Sequence, residues 1–85
     1  MMGTRCGDID PAIVPFMMKK ENLTPDQIDT IMNKKSGVLG VSQISSDHRD
    51  IEGGYNEGKE REVTVMNMYT NAILKYIGSY VALLQ

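Results

Sequence analysis

The chain has 85 residues, of which nine are Lys or Arg and eleven are Asp or Glu, and its net charge is −2. Charges of both signs are mixed along the sequence without a basic stripe, which argues against nucleic acid as a partner. No apolar run approaches the roughly 18 residues of a membrane span, and no signal-peptide pattern opens the chain.

Cysteine and histidine are each present once, as Cys6 and His48. A single cysteine rules out an internal disulfide and is compatible with a reducing cytosol, so we expect a cytoplasmic protein. His48 has no second histidine with which to share a metal, and we assign no metal ligand. Seven methionines supply much of the apolar volume but specify a core poorly, so we expect the apolar faces to need partners outside the chain.

The first helix is predicted at about residues 11–21. Asp10 followed by Pro11 fits an N-cap with proline at the first helical position. Pro15 lies about one turn inside, so the helix is expected to form with a distorted opening. Apolar residues lie on every side of this helix, which implies burial all round. They are Ala12, Ile13, Val14, Phe16, Met17 and Met18.

The second helix is predicted at about residues 25–35. The sequence TPDQ matches a capping box that begins at Thr24. Leu23 and Ile28 are placed to form the accompanying hydrophobic staple. Gly37 fits the left-handed residue that closes a helix.

A polar segment, SGVLGVSQISSDHRDIE, follows at residues 36–52. This composition is poor for a helix interior and good for turns, caps and ligand contacts. Strand-like alternation occurs only over 37–44, and a short helix is predicted at 47–53, ended by the Gly-Gly pair at 53 and 54. The Ser-Ser-Asp-His-Arg run could present N–H groups and side-chain donors to one ligand. The alternative is a solvated turn that merely starts another helix.

The longest helix is predicted at about residues 59–84. Apolar residues recur there at spacings of three and four, as one helical stripe. They are Met66, Tyr69, Ile73, Ile77, Tyr80 and Leu84. At 1.5 Å per residue the helix would be about 39 Å long, more than two short helices can cover. Gly78 suggests close packing against another backbone. We interpret the stripe as core or subunit contact rather than a cofactor site.

Three blocks of the sequence resemble consecutive blocks of the acetate kinase family. They are MGTRCGDIDPAIVPFMMKKENLT, NKKSGVLGVSQISSDHRDIE and KYIGSYVALL, which span essentially the whole chain in the family's order. Family members are several times longer and resemble the actin-like ATPase superfamily, with two related α/β domains. The resemblance implies that residues 1–85 are an internal fragment of the C-terminal, nucleotide-binding-side domain. The fragment is expected to be mainly α as an isolated chain, the helical part of an α/β actin-like ATPase domain.

The family's activity is reversible phosphoryl transfer between ATP and acetate with Mg²⁺, giving acetyl phosphate and ADP. The resemblance leaves the preferred carboxylate open, because the acyl pocket lies elsewhere and close relatives act on propionate or butyrate. Gln43 stands where the family usually has glycine, which leaves the nucleotide preference open too. The family's catalytic aspartate, a second arginine and a histidine are not in these residues. The chain alone is therefore expected to be inactive and to bind neither Mg²⁺ nor ATP tightly. We expect a homo-oligomer such as a dimer; the alternative function is a non-catalytic helical self-association or interaction module.

Arg5 aligns with the family arginine that contacts the carboxylate substrate and the transferring phosphoryl group. A planar, permanently charged guanidinium suits an oxyanion whose charge is spread over several oxygens, so Arg5 is predicted to stabilise the transition state. The alternative is a loop arginine that pairs with Asp8 or Asp10. Asp10 is better explained as a cap, and Cys6 as a small packing residue.

Asp47, His48 and Arg49 align with the family's adenosine-contacting segment and are predicted to bind the nucleotide. Asp47 can accept hydrogen bonds from ribose hydroxyls, and the guanidinium of Arg49 can stack on a base or donate to it. The His48 ring is expected to stack or pack rather than titrate. The alternative interpretation makes Asp47 an N-cap and pairs Arg49 with Asp50 or Glu52.

Overall fold

The computed structural model describes all 85 residues and contains five α-helices and no strand. The helices are α1 (Ile13–Lys20), α2 (Pro25–Lys34), α3 (Gly37–Ser42), α4 (His48–Asn56) and α5 (Glu60–Leu83). The prediction of a mainly α chain is confirmed. None of the five helices combines the length and apolarity that crossing a membrane requires.

The second helix starts where the sequence predicts it, but the N-cap of the first is Ala12 rather than the predicted Asp10. The Oδ1 atom of Asp10 accepts a hydrogen bond from the N–H of Ala12 at 2.9 Å, but α1 itself begins only after a turn at residues 11 and 12. Pro15 is accommodated in the first turn of α1, where its missing N–H has no intrahelical partner to lose. Thr24 and Gln27 form the predicted capping box, with hydrogen bonds of 3.2 and 2.8 Å.

The strand-like pattern over residues 37–44 is misleading, because residues 37–42 form α3. The N–H groups of Val38 and Leu39 donate to the carbonyls of Met2 and Gly3, each at 2.8 Å. These two N–H groups lie in the first turn of α3, where a helix offers no acceptors of its own. The N-terminal loop therefore completes the start of α3 from more than thirty residues away in sequence.

The Gly-Gly pair at 53 and 54 does not end α4, which continues to Asn56. Gly54 is buried against Glu62 of α5, and a Cβ at this position would lie 2.5 Å from Glu62 Cγ. Glu62 is itself 5% exposed. The missing side chain of Gly54 thus lets α4 approach α5 closely, and α4 continues through both glycines.

The core consists of Val38, Ile51 and Val65, one residue from each of α3, α4 and α5. Four half-buried residues pack against it: Met1, Val41, Met66 and Tyr69. The helix α5 packs against both α4 and α3, with more contacts to α4. Separately, α1 packs against α2. The N-terminal half of α5 is therefore the element around which the other two core helices are arranged.

Much apolar surface stays exposed at the periphery. No residue of α1 is buried and Phe16 is 60% exposed, so this chain does not provide the all-round burial that the apolar pattern of α1 implies. No atom of this chain lies within 4 Å of a Cβ placed at Gly78, so the chain itself provides no backbone that packs closely there. The radius of gyration is 15.0 Å, against about 12 Å for a compact domain of this length. The chain is a flat layer, with extents of 39 × 38 × 17 Å.

Candidate functional site

Arg5 lies on an N-terminal loop whose backbone is fixed on both sides. The N–H of Cys6 donates to Met32 O at 2.9 Å, and Thr4 O accepts a hydrogen bond from the N–H of Ser36 at 2.9 Å. The guanidinium is exposed, and neither of the two ion pairs in the structure involves it. The alternative of pairing with Asp8 or Asp10 is therefore wrong. The backbone of Arg5 is therefore fixed, while its permanently charged guanidinium stays free to bind an anion.

Gly37 allows this loop to approach the start of α3. Its φ is +63°, in the left-handed region as predicted, but Gly37 begins α3 and does not close α2, whose C-cap is Lys35. A Cβ here would lie 2.7 Å from Arg5 O, so any side chain would push the Arg5 loop away. The position of Arg5 thus depends on a glycine that is distant in sequence.

The loop between α3 and α4 is fixed by two serine side chains. The buried Ser42 Oγ accepts hydrogen bonds from the N–H groups of Ile44 and Ser45 at 3.1 and 3.4 Å, and donates to Ser45 O at 3.2 Å. Ser45 Oγ donates to Asp50 Oδ2 at 2.7 Å and accepts from the N–H of Asp47 at 2.9 Å. These serines hold the loop internally and leave Asp47 at a defined position. The signal in the sequence is the Ser-x-x-Ser spacing of Ser42 and Ser45.

Asp47 is the N-cap of α4, as the alternative interpretation predicts. Its Oδ1 accepts from the N–H of Arg49 at 2.9 Å. The Arg49 guanidinium also donates to both oxygens of Asp47, at 3.2 and 2.7 Å, instead of pairing with Asp50 or Glu52. These hydrogen bonds from the Arg49 side chain and backbone lower the pKa of Asp47 to about 2. The pair is solvent-exposed, so this charge is screened and both groups remain accessible to a ligand.

The His48 ring packs against the Tyr69 ring of α5. The centroids are 4.7 Å apart and the planes meet at 68°, an edge-to-face arrangement. The expectation that His48 packs is confirmed. Tyr69 belongs to the apolar stripe of α5, and its contact with His48 has no signal in the sequence because it joins residues from two helices.

The Arg5 loop and the loop before Asp47 meet in space. A Cβ on Gly3 would lie 3.0 Å from Ser46 O, so the two backbones are in close contact. The fold therefore brings the segments carrying the predicted catalytic and nucleotide-binding residues together across α3. Gly40 permits a second close backbone contact, because a Cβ there would lie 2.6 Å from Lys35 O.

The largest groove adjoins the Arg5 loop but is not lined by Arg5 or by residues 47–49. It has a volume of about 610 Å³ and runs between the N-terminal loop, the start of α3 and the middle of α5. Its lining includes Met1, Val41, Met68 and Tyr76 but none of the predicted site residues. No three His, Cys, Asp or Glu residues converge in a way that could hold a metal ion. Arg5 and Arg49 are exposed outside this groove, whose own charged residues are Asp8, Lys35 and Lys75.

Comparisons with known proteins give one consistent result. The whole chain, residues 1–85, matches the Acetokinase family. It is 58% identical over 83 residues to the acetate kinase of Moorella thermoacetica and 54% identical to that of Clostridium novyi. Each match covers 98% of this chain but 21% of the relative, so the chain spans about one fifth of the relatives' length.

Solved structures show the same relationship. The crystal structure of Porphyromonas gingivalis acetate kinase matches 96% of this chain and 21% of its own, with a TM-score of 0.90 and 51% identity. A propionate kinase from Francisella tularensis matches 95% of this chain and 21% of its own, with a TM-score of 0.89 and 27% identity. These kinases have the actin-like ATPase fold, so the helices of this chain are the helical part of that fold. The chain belongs to the Acetokinase family, a family of kinases.

Proposed function

We propose that this chain is part of an acetate kinase that transfers a phosphoryl group reversibly between ATP and acetate, giving acetyl phosphate and ADP. The observation that carries the proposal is the family match over all 85 residues. Propionate or butyrate as the carboxylate stays an alternative, since one matching structure is a propionate kinase. In this proposal the chain belongs to the C-terminal, nucleotide-binding-side domain of a cytoplasmic enzyme.

Arg5 is the proposed transition-state stabiliser. Phosphoryl transfer spreads negative charge over the equatorial oxygens of the transferring group, and a guanidinium can neutralise that charge. Support comes from the fixed backbone of Arg5 and from its unpaired, exposed side chain. An arginine already paired with a carboxylate would first have to give up that partner.

Asp47, His48 and Arg49 are the proposed nucleotide contacts. Each carboxylate oxygen of Asp47 can accept more than one hydrogen bond, so the bonds from Arg49 leave capacity for a ribose hydroxyl. The Arg49 side chain is 87% exposed, which leaves one guanidinium face open for a base. The capping role and the nucleotide-binding role are therefore compatible.

Magnesium enters the proposal only as a cofactor of the longer enzyme. The acidic residues of this chain do not converge on a site with three potential ligands. The residues present therefore do not fit a protein-held metal, and the ion would be held by the nucleotide phosphates and residues outside this chain.

The decisive test of Arg5 uses a chimera, defined here as the Moorella thermoacetica acetate kinase with its matching segment replaced by these residues. Arg5→Ala in the chimera should lower kcat by roughly 10³–10⁵, the range for loss of a transition-state arginine. Arg61→Ala is the matched control, because Arg61 is exposed and makes one hydrogen bond, to Val41 O at 3.5 Å. An effect of Arg5→Ala on KM alone would make Arg5 a ground-state binder.

The nucleotide contacts are tested in the same chimera. Asp47→Ala should raise the KM for ATP far more than the KM for acetate, because lost ribose contacts weaken binding uniformly. Asp10→Ala is the control, because it removes another carboxylate that accepts a hydrogen bond near the start of a helix. It should leave the KM for ATP and the KM for acetate unchanged. Equal effects of Asp47→Ala on both substrates, or a lower Tm alone, would restrict Asp47 to capping.

A second function, helical self-association without catalysis, is favoured by the exposed apolar surface of the isolated chain. Leu83 and Leu84 are 79% and 85% exposed, and most apolar residues of the C-terminal half of α5 are exposed with them. Such surface exceeds what monomers usually leave in water, so we propose a dimer or higher oligomer. Light scattering should report a mass above 9.5 kDa at high micromolar concentration. A coupled assay should show no acetate-dependent ADP formation by this chain alone; turnover would contradict its proposed inactivity.

A further inference from the structure

Tyr69 is a half-buried aromatic residue on the inner face of α5, one turn beyond Val65. We infer that Tyr69 is a positioning residue that holds the Asp47–Arg49 segment in place through His48. This inference rests on the proposed nucleotide contacts and adds a residue outside them. It concerns binding of ATP rather than the carboxylate.

The ring contact is what fixes the His48 side chain. Its centroid lies 4.7 Å from that of Tyr69, within the roughly 4.5–7 Å range of favourable aromatic pairs. Hydrogen bonds at the start of α4 join Asp47 to Arg49 and Ser45 to Asp50, and none of them involves the His48 ring. Removing the Tyr69 ring therefore leaves His48 without a defined partner.

The contacts between α4 and α5 follow an antiparallel series. Gly54 lies against Glu62, Ile51 shares the core with Val65, and His48 meets Tyr69. From pair to pair the residue number in α4 decreases by three, and the residue number in α5 increases by three or four. These steps are the spacing of successive helical turns. Tyr69 therefore supplies the last contact of the series, at the end of α4 that carries the predicted nucleotide residues.

Loss of this last contact has a local consequence. Ile51 is fully buried, so the body of α4 stays attached to α5 without Tyr69. The first turn of α4 then extends beyond its last packed residue, and helix ends without packing fray. Asp47 and Arg49 lie in or next to that turn. Fraying would move both away from a bound nucleotide.

The test compares three variants in the chimera defined above. Tyr69→Leu keeps an apolar side chain but removes the ring, and should raise the KM for ATP roughly three- to tenfold, with acetate KM within about twofold. Tyr69→Phe keeps the ring and should behave like the parent. Met66→Ala is the matched control, because Met66 packs against the same core but has no aromatic ring to pair with His48. It should lower Tm without a selective effect on ATP.

Amide hydrogen exchange supplies a second readout in the same enzymes. The N–H groups of Arg49 and Asp50 both donate to Asp47, so their exchange reports the first turn of α4. Tyr69→Leu should accelerate exchange there, while Tyr69→Phe should not. Unchanged exchange and unchanged KM for ATP in Tyr69→Leu would overturn the inference.

The Asp47→Ala variant separates this inference from the proposed function. An increase in the KM for ATP with Asp47→Ala but not with Tyr69→Leu overturns the role of Tyr69 and leaves the nucleotide contacts in place. No increase with Asp47→Ala removes the nucleotide contacts, and the role of Tyr69 falls with them. An increase with both variants, absent in Met66→Ala, supports the role of Tyr69.

Discussion

Replacing Gln43 by glycine should stabilise the chain, because Gln43 has a left-handed backbone conformation at the C-terminal end of α3. Its φ and ψ angles are 59° and 21°. An L-residue in this region is about 1–2 kcal/mol less stable than in the right-handed region. Glycine adopts either hand but loses roughly 0.5–1 kcal/mol more on folding through its greater backbone entropy. Because the Gln43 side chain is exposed, little packing is lost, and the net gain should be about 0.5–1 kcal/mol.

Thermal unfolding followed by far-UV circular dichroism measures this gain. A change of 1 kcal/mol shifts Tm by about 4–8 °C in a domain of this size, so Gln43→Gly should raise Tm by about 2–8 °C. Gln43→Ala is the matched control, since it removes the same side chain but keeps the Cβ that causes the strain. An equal rise in both variants would attribute the effect to the side chain. No rise with glycine would refute the strain argument.

Two further predictions concern α4. Gly54→Ala should destabilise the chain by about 1–3 kcal/mol, because the added methyl group overlaps Glu62. Gly53→Ala, with no atom within 4 Å, should instead stabilise it by roughly 0.5–1 kcal/mol, and Gly54→Ala combined with Glu62→Ala should recover most of the loss. Similar Tm changes at the two glycines would contradict this packing. The second prediction is a pH dependence: hydrogen bonds from Arg49 lower the pKa of Asp47 from 3.8 to about 2. Stabilisation by the Asp47 carboxylate is therefore present above about pH 4 and lost as the pH falls towards 2. Over that pH interval the Tm of Asp47→Asn should fall less than the Tm of the parent, and high salt should reduce the difference. Identical pH profiles would count against a stabilising Asp47–Arg49 pair.

The starts of α2 and α4 could be predicted because both hydrogen-bonding partners lie within a few residues of each other. Thr24 and Gln27 satisfy each other's backbone N–H groups, and Asp47 caps the helix that follows it. Such pairs depend on local geometry alone. The resemblance to the acetate kinase family could also be recognised from the sequence, because the blocks that carry it are continuous.

The identity of α3 could not be predicted from the segment itself. Its two glycines and alternating apolar residues favour no helix, and the acceptors that complete its first turn come from Met2 and Gly3. The end of α4 was mispredicted for a similar reason, since Gly54 packs closely against Glu62 of the next helix. Both errors occur where contacts distant in sequence override local preference.

The candidate site shows the same division between local and distant contacts. The candidate roles of Arg5, Asp47 and Arg49 came from the resemblance to the acetate kinase family. Their arrangement could not be predicted, because the close contact of Gly3 with Ser46 and the ring of Tyr69 against His48 are both distant in sequence. The partner of Arg49 was also missed: Asp47 lies two residues before it, outside the helical spacings of three and four that sequence patterns emphasise.

The two halves of α5 have different physical roles, and this difference separates the site from the association surface. Glu62, Val65 and Tyr69 in the N-terminal half contact α4 and thereby set where Asp47 lies. The C-terminal half, residues 73–84, exposes its apolar side chains and has Lys75 as its one charged residue. Because helices transmit packing constraints mainly to their direct neighbours, substitutions beyond residue 73 should change association more than the geometry of the site. The predicted site therefore depends on the part of the chain that already has a packed core.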